Sequence, residues 1–142
     1  MKSTIAAALL LAAIPAAAQQ GPIPPQSELP FSEARRIGET VYLSGAIGRA
    51  PGASSLVAGG IGPETEQVLR NLESALKAEG GTLADVVKCT VFLADMAEWP
   101  AMNKVYVTFF KKPFPARSAL GANGLAMGAR VEIECIAHVP KK

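Results

Sequence analysis

Metal ligands are scarce in this 142-residue chain, which holds one histidine and two cysteines. No spacing that clamps zinc or iron can be written with so few. An excess of one charge is also missing. Fourteen Lys and Arg stand against 12 Asp and Glu, for a formal net charge of +2, and the basic residues are scattered. That balance leaves no electrostatic footprint for nucleic acid or anionic lipid. Long apolar runs are absent after residue 18, so nothing there reaches the ~20 residues that a membrane-spanning helix needs.

The N-terminus is the exception in hydropathy. Met1-Lys2-Ser3 carries one positive charge, an apolar run extends from Ile5 to Ile14, and Pro15-Ala16-Ala17-Ala18 precedes Gln19-Gln20. This is the order of a secretory signal peptide, and the run is too short for an anchor. Residues 1–18 are expected to be removed. Residues 19–29, with Pro22, Pro24 and Pro25, form a flexible lead-in, and 30–142 form a single domain. Roughly 124 residues suit one core. The expected destination is the periplasm or the exterior, with no membrane attachment after cleavage. Such a compartment permits disulfides. Even so, Cys89 and Cys135 lie in strand-like runs and read first as small buried hydrophobes, bridging being decided by geometry.

Thr40 to Gly45 is a β-rich run, preceded by a turn over Arg36-Ile37-Gly38-Glu39. Gly48 to Gly62 is rich in small residues and reads as a loop. Gly62-Pro63-Glu64 opens a helix, with proline in its first turn. Val68, Leu69, Leu72, Ala75 and Leu76 follow at helical period, and Gly80-Gly81 ends it. Glu66, Arg70, Glu73 and Lys77 make its solvated side. Asp85 to Leu93 reads as a buried strand. From Trp99-Pro100 a second helix places Trp99, Met102, Tyr106 and Phe109 at core-like spacing, with Asn103 among them as a cap, a solvent-facing amide or a site residue. Lys111-Lys112-Pro113 stops it. Arg117 to Ala122 is a short strand, Asn123-Gly124 a turn, and Ala129 to Val139 the last strand. Period two there places Glu132 and Glu134 on one face, and Ile133, Cys135 and Ala137 on the other. His138 is a strand-end residue without a catalytic role.

The order is thus β-α-β-α-β-β, an α+β fold with both helices on one face of a four-stranded sheet. The other face, with Lys88, Thr90, Phe92 and the two glutamates, is neither fully polar nor fully apolar and suits burial against other subunits. The most pointed single feature is Phe114-Pro115-Ala116-Arg117-Ser118. A rigid lead-in there aims a planar guanidinium fork, which suits a carboxylate better than a lysine would. A surface cation beside an edge strand is the plain alternative.

Val41 to Gly45, Asp85 to Met96, Phe114 to Ser118, and Val131 to Glu134 occur together in an order and spacing that resembles the RidA (YjgF) family of enamine/imine deaminases. The similarity runs from about Pro30 to Ala137. It implies a chorismate-mutase-like fold with a mixed sheet, a homotrimer with sites in the clefts between subunits, and cofactor-independent hydrolysis of 2-imino or 2-enamino acids to 2-keto acids and ammonia. By the same resemblance, Arg117 grips the substrate carboxylate and Glu132 positions or activates water. Ser44 and Asn103 match pocket-lining positions. Two matches fail: the family's site tyrosine is Phe31 here, and a cysteine often found two residues after the arginine is Ala119. The first change removes a donor, so both bear on what the pocket holds. The alternatives are a non-catalytic small-carboxylate binding or sensing module, or a chaperone-like interaction protein. A nuclease is weaker, with no metal cluster and no basic patch.

Overall fold

The structure is a computed structural model and describes residues 29–141. The expected leader at 1–18 and most of the expected lead-in at 19–29 lie outside the described residues. Seven main elements follow in order: β1 (Ala34–Ile37), β2 (Thr40–Ile47), α1 (Ile61–Ala78), β3 (Val86–Leu93), α2 (Trp99–Phe109), β4 (Ala116–Gly121) and β5 (Val131–His138). Short 3₁₀ turns precede β3, α2 and β5.

The strands form one mixed sheet in the order β1-β2-β5-β3-β4. Strand β5 runs antiparallel to both β2 and β3, while β4 is parallel to β3. Parallel neighbours need a long crossover, which α2 supplies between β3 and β4. Helix α1 makes the wider crossover from β2 to β3, and β5 fills the gap between them. Both helices cover the same face.

That face is apolar because the strands alternate. Val131, Ile133, Cys135 and Ala137 of β5 are buried with Cys89, Val91 and Leu93 of β3. They meet Val68, Leu69, Leu72 and Leu76 of α1, and Met102 and Tyr106 of α2. A fully buried Leu or Val stabilises by about 1.5–3 kcal/mol, so this stripe is the main driving force for the layer. Trp99 departs from the core reading. It is 41% exposed, at the first position of α2. The solvated side of α1 is as expected, with Glu66–Arg70 and Glu73–Lys77 ion pairs one turn apart. Gly80 ends the helix at φ 77°, where its N–H and that of Gly81 donate to the carbonyls of Lys77 and Leu76, closing the last turn.

Two expectations need correction. The sheet has five strands, since Arg36 and Ile37 belong to β1 and only Gly38-Glu39 turns the chain. Three donors of Arg36 account for this: they reach Glu79 Oε2 at 3.0 Å, the Val139 carbonyl at 3.0 Å, and the Glu79 carbonyl. The guanidinium ties β1 to the end of α1 and the exit of β5. Second, Cys89 and Cys135 form a disulfide. They are directly opposed in the β3–β5 register, with exposures of 0% and 2%. Both sulfurs point into the helix-covered layer, so pairing and burial coincide.

Candidate active site

Glu132 lies on the face of β5 that the helices do not cover, opposite Phe92 of β3 and Ile47 of β2. The β2–β5 register shifts between Leu43 and Ala46, an irregularity that re-aims the chain beside the carboxylate. Gly45 sits in this bulge. A Cβ there would fall 2.0 Å from Glu132 Oε1, so only glycine leaves room for the side chain. A cavity of about 630 Å³ opens at this point, and Glu132, Phe31, Ser44, Gly45, Arg49 and Leu72 are among its walls. Burial, and secondarily the negative charge of Glu134, raises the Glu132 carboxyl above its ordinary pKa. A carboxylate so placed is a better proton acceptor than one in water.

The neighbouring groups are arranged by local hydrogen bonds. Ser44 Oγ donates to the Ser32 carbonyl at 2.6 Å, and its N–H to that of Glu33 at 2.9 Å. Ser44 therefore holds the segment that carries Phe31 at the cavity mouth, where Phe31 is 54% exposed. On α1, Asn71 Nδ2 donates to the Ile47 and Arg49 carbonyls at 3.1 and 2.9 Å. That fixes the loop leaving β2.

Arg117 belongs to a second group of residues. It is paired in register with Cys89, so it projects toward the helix-covered face at the β4 edge. Its guanidinium carbon stands 4.5 Å from the centroid of the Tyr106 ring, within cation–π range. Tyr106 is buried, stacks on Phe110 at 4.6 Å between centroids, and its hydroxyl has no hydrogen-bond partner. Burial raises the Tyr106 pKa while the Arg117 charge opposes that rise. Asn103, half-buried, lies one helical turn before Tyr106 on α2, and Ala119 packs against the core from β4.

Within one chain, then, the expected residues form two sets. Phe31, Ser44 and Glu132 share the cavity; Arg117, Asn103 and Ala119 do not line it. Arg117 and Glu132 do not share a pocket inside a single chain. The reason is parity: Arg117 is in register with buried Cys89, whereas Glu132 is in register with Phe92, of the opposite alternation. Sequence reading passed over Gly45, Tyr106 and Arg49. The ring of Tyr106 had a core spacing, and only the packing of α2 against β4 brings it to Arg117. Among the described residues, no three His, Cys, Asp or Glu side chains are grouped to hold a metal ion.

The class so defined is a small α+β domain with two helices on one side of a mixed sheet, an acidic cavity on one flank and a ring-held guanidinium on the other. The chain belongs to the RidA (YjgF) family, as the model of the family described as Endoribonuclease L-PSP matches residues 23–139. A 2-iminobutanoate/2-iminopropanoate deaminase of Dermatophagoides farinae is 43% identical over 115 residues, covering 81% of this chain and 90% of the relative. The Homo sapiens protein of the same name is 43% identical over 108 residues, covering 76% and 79%. Among solved structures, RidA from an Antarctic Psychrobacter has a TM-score of 0.75 at 35% identity, covering 85% of this chain and all of that one. Escherichia coli TdcF with bound serine has a TM-score of 0.74 at 28% identity, covering 80% and 91%.

Proposed function

We propose that the chain hydrolyses 2-imino and 2-enamino acids to 2-keto acids and ammonia, in a site completed between copies of itself. The observation that carries this reading is Glu132: a partly buried carboxylate of raised pKa on the wall of a cavity, with room kept for it by Gly45. The names of the deaminase relatives support the reaction, and serine bound to TdcF supports a ligand with a free carboxylate.

The chemistry asks little of the protein. A protonated imine is already electrophilic, so the site must hold the carboxylate and place a water at the imine carbon. Arg117 of one copy supplies the fork for the carboxylate, oriented from behind by Tyr106. Glu132 of another copy takes a proton as water attacks, then returns it to the departing nitrogen. Ser44 keeps Phe31 at the mouth, and Asn103 and Ala119 complete the Arg117 side. No cofactor enters these steps. The uncovered sheet face supports self-association as a homotrimer: it carries half-buried Lys88, Thr90, Phe92 and Ile136, and Tyr42 there is 46% exposed. A cyclic assembly repeats one heterologous contact, which would set each Glu132 beside the next copy's Arg117.

The test follows from that division. Arg117→Ala and Glu132→Gln are each expected to lose turnover of oxidase-generated imines, measured as ammonia release. Dissociated and reassembled together in equal amounts, they should regain about a quarter of the wild-type rate, because a random cyclic assembly pairs an intact Glu132 with an intact Arg117 at one site in four. No recovery in the mixed assembly would place both residues of a site in one chain. Unchanged ammonia release on adding wild-type protein would remove the deaminase reading itself.

We also propose that the protein works outside the cytoplasm. The leader-like residues 1–18 and the Cys89–Cys135 disulfide support this, since such bonds persist in oxidising compartments. Protein recovered from the periplasmic fraction should begin at Gln19 and bind no thiol reagent after unfolding. A cytoplasmic, full-length chain with two free thiols would contradict it.

A further inference from the structure

The cavity beside Glu132 holds one basic side chain, Arg49, on the loop that follows β2. Its position is set by its backbone. The N–H of Arg49 donates to the Ile47 carbonyl at 2.8 Å, its carbonyl accepts from Asn71, and it bridges antiparallel to Leu56. One guanidinium nitrogen is turned inward to the Ala53 carbonyl at 3.3 Å. The remaining donors have no carboxylate partner among the described residues. In contrast, Arg36, Arg70 and Arg130 are each engaged by a glutamate, at Glu79, Glu66 and Glu98.

Arg49 is also not the counter-ion of the catalytic acid. Both line the same cavity, and the salt bridges among the described residues do not include this pair. A half-buried guanidinium, fixed at its root and without a carboxylate partner among the described residues, therefore stands in the cavity that Glu132 also lines. Glu33 and Glu132 are the other charged groups of the lining, and neither makes an ion pair with it. In a wall of this composition, Arg49 is the one feature that would attract an anion, and a planar fork selects a carboxylate.

We propose that Arg49 binds a second carboxylate, so that the preferred substrates are 2-imino acids with an acidic side chain. This rests on the deaminase reading above, with Arg117 holding the carboxylate next to the imine. The reaction is unchanged in its balance: water adds to the imine carbon, the carbon–nitrogen bond breaks, and R–C(=NH2+)–COO− plus H2O gives R–CO–COO− plus NH4+. Arg49 acts only on R, at the far end of the substrate from the bond that breaks.

The experiment uses the intact protein and imines made in situ by amino-acid oxidases from D-aspartate and D-glutamate, set against those from D-alanine and D-2-aminobutyrate. The diacid imines are expected to show kcat/KM higher by roughly 10- to 100-fold, the range for one hydrogen-bonded charge. Arg49→Met should remove that advantage and leave the monoacid imines within about threefold of wild type, since their only carboxylate is held elsewhere. Calorimetric binding of 2-oxoglutarate and 2-oxobutanoate gives a second readout, in which Arg49→Met weakens only the former. Equal wild-type rates for both substrate sets would overturn the proposal. So would an Arg49→Met variant impaired equally on both, which would make Arg49 a general support of the site. Absence of turnover on every imine would instead sink the deaminase reading, and this proposal with it.

Discussion

Glu132→Gln is expected to lower kcat/KM for imine hydrolysis by about 10²- to 10⁴-fold, the usual worth of a positioned general base. Glutamine keeps the shape that Gly45 accommodates but cannot take the proton from water, so KM should change far less than kcat. The pH profile carries the same information. Burial and Glu134 raise the Glu132 pKa, so wild-type activity should fall with acidification already above the ordinary carboxylate range. A variant whose rate is unchanged would remove Glu132 from the chemistry.

The same substitution has a stability consequence of opposite sign. A carboxyl with a raised folded pKa binds its proton more tightly folded than unfolded, so stability decreases as pH rises through the interval between the two values. The charged Glu132 is thus a cost at neutral pH, relieved as pH falls through its folded pKa. In an Arg117→Ala background, which removes the guanidinium proposed to come from the next copy, Glu132→Gln should raise the melting temperature at pH 7. That gain should vanish toward pH 4. Thermal melts at several pH values check this, and a gain independent of pH would mean that packing, not charge, is responsible.

Arg117→Ala is the second large effect, with an expected loss of roughly 10²- to 10³-fold in kcat/KM, as follows when one partner of a desolvated, hydrogen-bonded charge pair is truncated. Arg117→Lys should recover little, because an ammonium lacks the planar fork. Tyr106 extends the prediction. Its ring lies under the guanidinium at 4.5 Å while its hydroxyl is buried without a partner. Tyr106→Phe therefore keeps the interacting face and deletes only an unsatisfied group, and it should leave the kinetics near wild type with unchanged or higher stability. Tyr106→Leu keeps apolar volume but loses the ring's charge distribution, and should raise KM with little change in kcat. If Phe and Leu behaved alike, the ring would be core packing and no more.

Much of the fold that positions the candidate site was legible in the sequence. The alternation of β5 put Glu132 and Glu134 on one face and Ile133, Cys135 and Ala137 on the other, as the burial pattern has it. The α1 stripe of Val68, Leu69, Leu72 and Leu76 is buried as its period requires. The polar matches to the family fell on residues that do gather in two groups. Phe31, absent a phenol, still reaches the cavity mouth, because Ser44 holds its segment through backbone carbonyls that any residue there would offer.

The limits are equally physical. Periods of 3.6 and 2 describe what a residue does relative to its own element, so the sequence by itself determined the helices, the long strands, the apolar faces and the candidate arginine and glutamate. It also carried the expectation of a leader at residues 1–18. Which strand lies beside which is a matter of long-range pairing, and only the tertiary structure decided that. The sheet order placed Cys89 against Cys135 and made them a bond. It turned Arg36 into the anchor of a fifth strand, set Tyr106 beneath Arg117, and left Arg49 in one cavity with Glu132. Finally, it put Arg117 and Glu132 on opposite faces, because strand register fixes side-chain parity, and parity between distant segments is not written in either segment alone.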